Sequence, residues 1–352
     1  MPEYVHGGDV YSYAEACGCM PLDLSANINP FGIPETVKQA MHHAVEDCTR
    51  YPDPFCRAAR RAIGAAEGVC PDWIYCGNGA ADVLDRLAAV LRPKTALLTA
   101  PTFAEYERTL AGADVRFHLL HEDEGFAVTE RILSDMAPEI DAVYLCNPNN
   151  PTGRTIEPPL LHRIVEKCAE YSSWLIVDEC FQDFLTDGTR HTLKDLLADC
   201  PKLVLLRAYT KMYAVPGVRF GWCMTANTDL IEGLYGAGQP WNVSVIAQAC
   251  AAAAAQETLF AEQTAARIAQ ERTYLAEELG HRGMTVFPSE ANFLLFRSQD
   301  TELREKLAAR GVLIRSCANY RGLGAGFYRT AVKTRGETAR LLAALDAIRE
   351  GC

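Results

Sequence analysis

Short apolar runs alternate along the chain with stretches of helical character, and this alternation restricts the possible folds more than any other feature of the sequence. The runs have the length and composition of buried β-strands, and they are Thr95–Thr99, Ala142–Cys146, Trp174–Val177, Leu203–Leu206 and Phe220–Met224. Helical patterns lie between several of them, such as Pro159–Tyr171 and Leu193–Ala198. The alternation predicts an α/β domain with a largely parallel central sheet, because parallel strands need crossover connections that are usually helices.

The chain after residue 241 has a different pattern. The segment from Gln248 to Gly280 is rich in Ala, Glu, Gln and Arg, which predicts one long helix. Three short strand-like segments and a final helical segment follow, and they are Thr285–Phe287, Phe293–Phe296, Val312–Arg315 and Glu337–Arg349. We therefore predict an N-terminal arm (1–30) that packs with the small domain, a large domain (31–241) and a smaller α+β domain (242–352).

The composition excludes several classes of partner. The chain has 352 residues and a formal net charge of −11, with its basic residues scattered, so we expect no nucleic-acid-binding face. No segment approaches the roughly 18 consecutive apolar residues of a membrane helix. The stretch Met1–Val10 also lacks the apolar core of a signal peptide. These features predict a cytoplasmic protein with no membrane partner.

The fourteen cysteines do not form a metal-binding or disulfide pattern. Cys17 and Cys19 make one C-x-C pair, the sequence contains no C-x-x-C, and no cysteine has metal-ligand spacing to a histidine. We therefore expect no metal, and we expect most cysteines to be small buried hydrophobic residues in a reducing cytoplasm.

The segment Arg207–Gly221 contains the most informative polar residues. Lys211 follows an apolar strand and a threonine, and Arg219 comes eight residues later. A lysine that forms Schiff bases must be a free amine at neutral pH, which nearby cations favour. Arg219 can supply that field and can also neutralise a cofactor phosphate. Taken alone, Lys211 is equally consistent with a surface lysine in a loop.

Three other polar segments follow or end apolar runs. Asn147–Gly153 is a turn cluster in which Asn150 could hydrogen-bond a cofactor oxygen, although Asn, Pro and Gly also favour plain turns. Asp178 ends a strand, where a carboxylate could pair with a protonated ring nitrogen or could simply cap a helix. Cys76–Asp82 places small residues before a helical run, where backbone N–H groups can bind a phosphate.

Taken in order, these segments match a known family. The order is the glycine turn, Pro101-Thr-Phe103, N-P-N-N-P-T-G, V-D-E, T-K and G-x-R-x-G. Over residues 5–345 the chain resembles the pyridoxal 5′-phosphate (PLP) enzymes of the aminotransferase class I/II group. The resemblance implies the type I PLP-dependent transferase fold, which has a mostly parallel central sheet and a smaller α+β C-terminal domain.

Further segments narrow the likeness to the threonine-phosphate decarboxylases of cobalamin biosynthesis. These segments are His6-Gly7-Gly8, Leu24–Gly32, Arg50–Asp53 and Ile314–Tyr320. The implied reaction is PLP-dependent decarboxylation of O-phospho-L-threonine, or of O-phosphoserine, to the amino-alcohol phosphate. Histidinol-phosphate aminotransferases share much of the scaffold, so transamination is the alternative. Phe181 stands where those aminotransferases usually have tyrosine, and phenylalanine also occupies this position in the decarboxylases.

The resemblance also implies roles toward the cofactor. Lys211 would bind PLP covalently, Asp178 would pair with the pyridine nitrogen, Asn150 would bond the phenolic oxygen and Phe103 would stack on the ring. The residues expected to hold the cofactor phosphate are Gly79, Ala80, Thr210, Arg219 and Tyr51. Tyr51 would reach the phosphate from the partner subunit, which implies a homodimer with shared active sites.

Roles toward a small phosphorylated amino-acid substrate follow in the same way. Arg329 would bind its carboxylate, and the residues expected around its phosphate are His6, Asn27 and Arg315. Two positions depart from the family pattern: Ala208 stands where relatives usually have serine, and Ala81 where many have threonine or serine. Each departure removes a hydroxyl donor to the cofactor phosphate. Since a hydrogen bond to a charged group contributes about 1.5–3 kcal/mol, we expect weaker cofactor binding than in those relatives.

Overall fold

The computed structural model describes residues 7–351, with the side chain at position 189 excepted. Its strands, in chain order, are β1 Leu22–Asp23, β2 Ile74–Gly77, β3 Thr95–Ala100, β4 Asp114–Leu119, β5 Ala142–Cys146, β6 Trp174–Asp178, β7 Leu203–Arg207, β8 Gly221–Met224, β9 Thr285–Val286, β10 Phe293–Arg297, β11 Val312–Leu313, β12 Arg315–Ser316 and β13 Phe327–Ala331.

Helices connect these strands and cover them. They are α1 Val10–Cys17, α2 Glu35–Ala44, α3 Arg57–Glu67, α4 Ala80–Leu91, α5 Glu105–Thr109, α6 Ile132–Asp135, α7 Pro158–Tyr171, α8 Thr228–Gly236, α9 Val245–Ala254, α10 Thr258–His281, α11 Leu303–Ala308 and α12 Arg335–Arg349. Within residues 7–351, no helix is both long enough and apolar enough to cross a membrane.

The central sheet has seven strands within the described range, in the order β2-β8-β7-β6-β5-β3-β4. Strands β3 to β7 pair in parallel, whereas β8 runs antiparallel to both β7 and β2. Every residue of β5 and β7 is buried, as is typical of strands covered on both faces. The prediction of an α/β fold with a largely parallel sheet is therefore confirmed.

The strand order places a crevice at one edge of the central sheet. The chain leaves β3 toward β4 on one side and returns to β5 on the other side of β3. Ligands of open α/β sheets bind outside the carboxyl ends of the strands at such a reversal. The segments that follow β3 and β5, together with the end of β6, are therefore brought to one place.

The C-terminal part forms a second, antiparallel sheet of order β12-β13-β10-β9. Strand β1 pairs in parallel with β11, and the backbone N–H of Ala331 in β13 donates to the carbonyl of Leu24 at 2.8 Å. The N-terminal residues 22–24 are thus attached to the C-terminal strands. The predicted α+β character of this part is confirmed, while the proposed domain boundaries remain predictions.

Three predictions of local structure were wrong. The expected single helix from Gln248 to Gly280 is two helices, α9 and α10, because the chain turns at residues 255–257 between them. Ala, Gln and Glu favour helix on both sides of this turn, so composition could not locate it. The expected helix Leu193–Ala198 is only a 3-10 turn over Lys194–Leu196. The expected strand Val312–Arg315 is divided, because β11 pairs with β1 and β12 with β13.

Candidate active site

A cavity of about 640 Å³ lies at the carboxyl ends of the central strands, between them and the N- and C-terminal segments. The predicted site residues that line it are Asn27, Phe103, Asn150, Lys211, Arg219, Arg315 and Arg329. Phe181 and Ala81 also line it. Residues far apart in sequence therefore meet in one pocket.

Lys211 is half-buried and reaches the cavity from the segment after β7. Its ammonium nitrogen donates to the hydroxyl of Thr210 at 3.0 Å. Burial lowers the pKa of Lys211 below its usual value, and the charges of Arg219 and Arg329 lower it further, against the opposing effects of Cys180 and Asp178. A lowered pKa favours the free amine, which is the nucleophilic form that binds a carbonyl carbon.

Asp178 ends β6 as a buried carboxylate with both oxygens hydrogen-bonded. The hydroxyl of Tyr106 donates to Oδ2 at 2.6 Å, and the backbone N–H of Cys180 donates to Oδ1 at 2.9 Å. These bonds offset part of the cost of burying the charge. The carboxylate is also placed to pair with a cationic group at the end of the strand.

A cradle for an anion lies where α4 begins. Gly79 has φ +84°, and a Cβ there would stand 2.6 Å from Nη2 of Arg219. A Cβ at Gly221 would stand 2.3 Å from the backbone nitrogen of Ala80. Glycine at both positions lets Arg219 and β8 approach the first turn of α4, which has no side-chain cap. Backbone N–H groups and a guanidinium therefore converge there, as an anion requires.

Arg329 joins the two sides of the cavity. Its Nη1 donates to Oδ1 of Asn150 at 2.6 Å, and its Nη2 donates to the carbonyl of Ser25 at 2.7 Å. Only 6% of Arg329 is exposed, and its buried Nε has no hydrogen-bond partner among the described residues. Because Asn150 Oδ1 accepts from Arg329, the amide nitrogen of Asn150 is left to donate to a ligand.

Arg315 and Arg329 are directly opposite each other on the antiparallel strands β12 and β13. Directly opposite side chains lie on the same face of a sheet with Cβ atoms about 4.5–5.5 Å apart. Both residues line the cavity. Two guanidinium groups therefore reach the same cavity, an arrangement that favours a ligand with more than one anionic group.

The segment Ser289–Phe293 braces this arrangement. A Cβ at Gly153 would stand 2.0 Å from Oγ of Ser289, so the turn that carries Asn150 packs directly on the C-terminal part. The amide of Asn292 donates to the carbonyl of Asn27 at 3.0 Å. The ring of Phe293 packs edge-on against Phe181, with centroids 5.0 Å apart. One short segment thus fixes three parts of the cavity wall.

The residues present fit PLP. The anion cradle at α4 suits the phosphate, Asp178 suits the pyridine nitrogen, the free amide N–H of Asn150 suits the phenolic oxygen, and Lys211 suits the aldehyde. Glycine at positions 79 and 221 allows Arg219 and the first turn of α4 to come together at this cradle. Ala81 lines the cavity without a hydroxyl, and Ala208 is buried, so the cradle depends on backbone donors, Thr210 and Arg219.

Among the predicted site residues that the structure describes, Gly79, Ala80, Asp178, Thr210 and Tyr51 do not line the cavity, and Tyr51 lies apart from it. Tyr51 is 76% exposed and stacks on Trp241, with ring centroids 4.5 Å apart. His6 lies outside the described residues. The sequence interpretation had also missed Tyr106 and Ser25, which contact site residues. Tyr106 lies on the short helix α5, in which no sequence signal distinguishes it from a core tyrosine.

The sequence and fold both have well-characterised relatives. The profile of the family described as "Aminotransferase class I and II" matches residues 20–348. The curated threonine-phosphate decarboxylase of Salmonella typhimurium is 36% identical over 98% of this chain and 97% of its own length.

Two solved structures extend the comparison. The histidinol-phosphate aminotransferase from Clostridium acetobutylicum superposes with a TM-score of 0.87 at 28% identity, covering 94% of this chain and 99% of that one. The L-threonine-O-3-phosphate decarboxylase from Porphyromonas gingivalis superposes with a TM-score of 0.81 at 22% identity, covering 93% and 99%. The second likeness is one of fold alone.

Proposed function

The chain belongs to the class I and II aminotransferase family and its cofactor is PLP; from this premise we propose that it decarboxylates O-phospho-L-threonine, or the related O-phosphoserine. The products are carbon dioxide and the amino-alcohol phosphate, as expected for an enzyme of cobalamin biosynthesis. The observation that carries the proposal is the pair of opposed arginines, Arg315 and Arg329, at the cavity. The 36% identity to a relative named threonine-phosphate decarboxylase supports it.

The substrate class follows from this pair of arginines. A guanidinium can bind a carboxylate or a phosphate through two parallel hydrogen bonds, so two of them suit a small molecule that carries both groups. We assign the carboxylate to the buried Arg329, and the phosphate to Arg315 with Asn27. Free threonine would leave the charge of Arg315 without its phosphate, and we therefore expect it to bind far more weakly than phosphothreonine.

The cofactor and the protein side chains would contribute different parts of the reaction. When bound, PLP supplies an electron sink for the bond that breaks at the substrate Cα. Asp178 would pair with the protonated ring nitrogen, Asn150 would donate to the phenolic oxygen, and Phe103 would pack on the ring. Lys211 would hold the cofactor and would carry a proton to or from the substrate Cα.

The two arginines would orient the substrate at the cofactor. By holding the substrate carboxylate and phosphate respectively, Arg329 and Arg315 would set the rotation about the Cα–N bond. Decarboxylation requires the carboxylate to be perpendicular to the cofactor ring, whereas transamination requires the Cα hydrogen there.

We further propose a cytoplasmic homodimer with shared active sites. Tyr51 and Trp241 form an aromatic pair that is exposed and outside the chain's own cavity, as a residue serving a partner's cofactor phosphate would be. A mixture of inactive Tyr51→Ala and Lys211→Ala chains should regain activity, because one site of the mixed dimer is intact. Subunit exchange without recovery would contradict the shared site. The free thiols of the described cysteines support a reducing compartment.

The substrate assay decides the reaction. PLP-loaded protein is incubated in turn with phosphothreonine, phosphoserine, threonine and histidinol phosphate, with 2-oxoglutarate present, and both carbon dioxide and amino transfer are measured. We expect carbon dioxide from phosphothreonine, less from threonine, and no stoichiometric amino transfer. Amino transfer from histidinol phosphate without carbon dioxide from phosphothreonine would establish the aminotransferase alternative.

A further inference from the structure

Tyr106 is a buried residue that contacts two of the predicted cofactor-binding side chains at once. It lies on α5, is 1% exposed, and its hydroxyl donates to Oδ2 of Asp178 at 2.6 Å. Its ring packs edge-on against Phe103, with centroids 5.7 Å apart. The hydroxyl end therefore holds the carboxylate and the ring supports the aromatic residue expected to stack on the cofactor.

The hydrogen bond between Tyr106 and Asp178 has a fixed direction. Burial raises the pKa of Tyr106 well above its usual value, and the negative charge of Asp178 raises it further. The phenol therefore keeps its proton and always donates. Since Cys180 N–H donates to the other oxygen, the carboxylate cannot turn without breaking one of two bonds.

We propose that Tyr106 is a positioning residue that fixes the orientation of Asp178 and thereby holds its carboxylate in place for the ring nitrogen of the cofactor. Without the Tyr106 hydroxyl, the Asp178 carboxylate is held only by the backbone N–H of Cys180 and can turn away from the ring nitrogen. The inference rests on the proposed function in one respect, namely that Asp178 and Phe103 contact PLP.

A matched control lies one strand away. Tyr144 on β5 is also fully buried, and its ring centroid is 6.1 Å from that of Tyr106. Its hydroxyl has no hydrogen-bond partner among the described residues. Tyr144→Phe therefore removes the same atom from the same environment without removing a hydrogen bond.

The first test needs no cofactor. Thermal unfolding of the apoprotein is compared for Tyr106→Phe, Asp178→Ala, the double variant and Tyr144→Phe. We expect Tyr106→Phe to lower the Tm, Tyr144→Phe to leave it unchanged or raise it, and the loss from Tyr106→Phe to shrink in the Asp178→Ala background. Equal effects in both backgrounds would contradict the coupling between Tyr106 and Asp178.

The second test uses the holoenzyme and separates positioning from packing. The visible absorption band of the bound cofactor is titrated with pH. Its midpoint should move by about half a unit or more in Tyr106→Phe, because the carboxylate is no longer held in place, and should stay fixed in Tyr144→Phe. The kcat for the preferred substrate should fall about tenfold with KM little changed, because the substrate is held elsewhere. A band that forms normally and titrates unchanged in Tyr106→Phe would overturn this inference alone, whereas a native chain that gives no band with PLP would overturn the proposed function.

Discussion

The two sides of the cavity differ in how completely the protein satisfies its own polar groups. On the side of the central strands, Asp178, Tyr106 and Thr210 are buried and hydrogen-bonded to other parts of the chain. On the opposite side, Oδ1 of Asn27 and Nε of Arg329 are buried with no partner among the described residues. Helix α1, which has no buried residue, adds Tyr11, which lines the cavity although it is 79% exposed.

This difference in hydrogen bonding suits two functions, the retention of a cofactor and the binding of a substrate. A cofactor that stays bound through many turnovers benefits from groups that are already held in place. A substrate carboxylate that enters and leaves can accept from Nε of Arg329 only while it is bound. Substitutions on the strand side should therefore affect chemistry and cofactor retention, and substitutions on the opposite side should affect substrate choice.

Replacement of Lys211 should have the largest effect. We expect Lys211→Ala to lower activity about 10⁴-fold or more, because it removes both the covalent anchor and the proton carrier. Borohydride reduction of the native holoenzyme, followed by peptide mapping, should place the pyridoxyl group on Lys211. A label on Lys202 or Lys194 would contradict the assignment.

Replacement of the two arginines that are proposed to bind the substrate should have different effects on the kinetics. Arg329→Ala should lower kcat/KM about 10²-fold or more, because it leaves a desolvated carboxylate without its partner. The half-buried Arg315→Ala should cost roughly tenfold, chiefly in KM, since surrounding water can replace part of its contact. Steady-state kinetics with phosphothreonine and threonine measure both, and only Arg315→Ala should reduce the preference for phosphate. If each variant lost the same fraction of kcat/KM on both substrates, the assignment of the carboxylate to Arg329 and the phosphate to Arg315 would be contradicted.

The contact between Gly153 and Ser289, which joins the two sides of the cavity, can be disrupted by a substitution at Gly153. Its φ is +74°, and a Cβ would meet Ser289, so Gly153→Ala should destabilise the protein by about 2–4 kcal/mol. Gly68 has a similar φ of +72° with no atom within 4 Å of the added Cβ, so Gly68→Ala should cost about 1 kcal/mol. Urea unfolding measures both.

A compensating change tests the reason for that difference. Ser289→Gly removes the atoms that the Gly153→Ala methyl would strike, and the double variant should recover most of the difference from Gly68→Ala. A double variant no more stable than Gly153→Ala would show that the contact with Ser289 is not the cause.

The smallest expected effect is a change in how the stability of the protein depends on pH. Burial raises the pKa of Glu179 to about 7, against the lowering effect of Arg207, whose Nε lies 3.3 Å from the carboxylate. As the pH rises from the ordinary glutamate range to about 7, the unfolded chain releases this proton first, so the contribution of Glu179 to stability falls across that window and is constant above it. Urea unfolding at several pH values should show this slope reduced in Glu179→Gln. An unchanged slope would contradict it.

The strand side was also the part that the sequence predicted best. Lys211, Asp178 and Asn150 follow or end strongly apolar strands, and the carboxyl ends of such strands meet whatever their separation in the chain. The local sequence around each strand was therefore sufficient to place them. Tyr106 escaped notice because nothing in its own short helix distinguishes it from an ordinary core tyrosine.

The opposite side depends on pairings that no local pattern reveals. Strand β13 was missed, and with it the fact that Arg329 faces Arg315 across the sheet. Arg329 could be assigned only through resemblance to the family. The contact of Ser289 with Gly153 joins residues more than a hundred positions apart, and its only local sign was a glycine that also suits an ordinary turn.

The position of the residues proposed to bind the substrate, outside the central sheet, has an evolutionary consequence. Asn27, Arg315 and Arg329 belong to segments that contribute no strand to that sheet, so mutations can reshape ligand preference there while the strand ends keep their geometry. Divergence of specificity can then proceed by small steps through intermediates that still fold and still retain the cofactor.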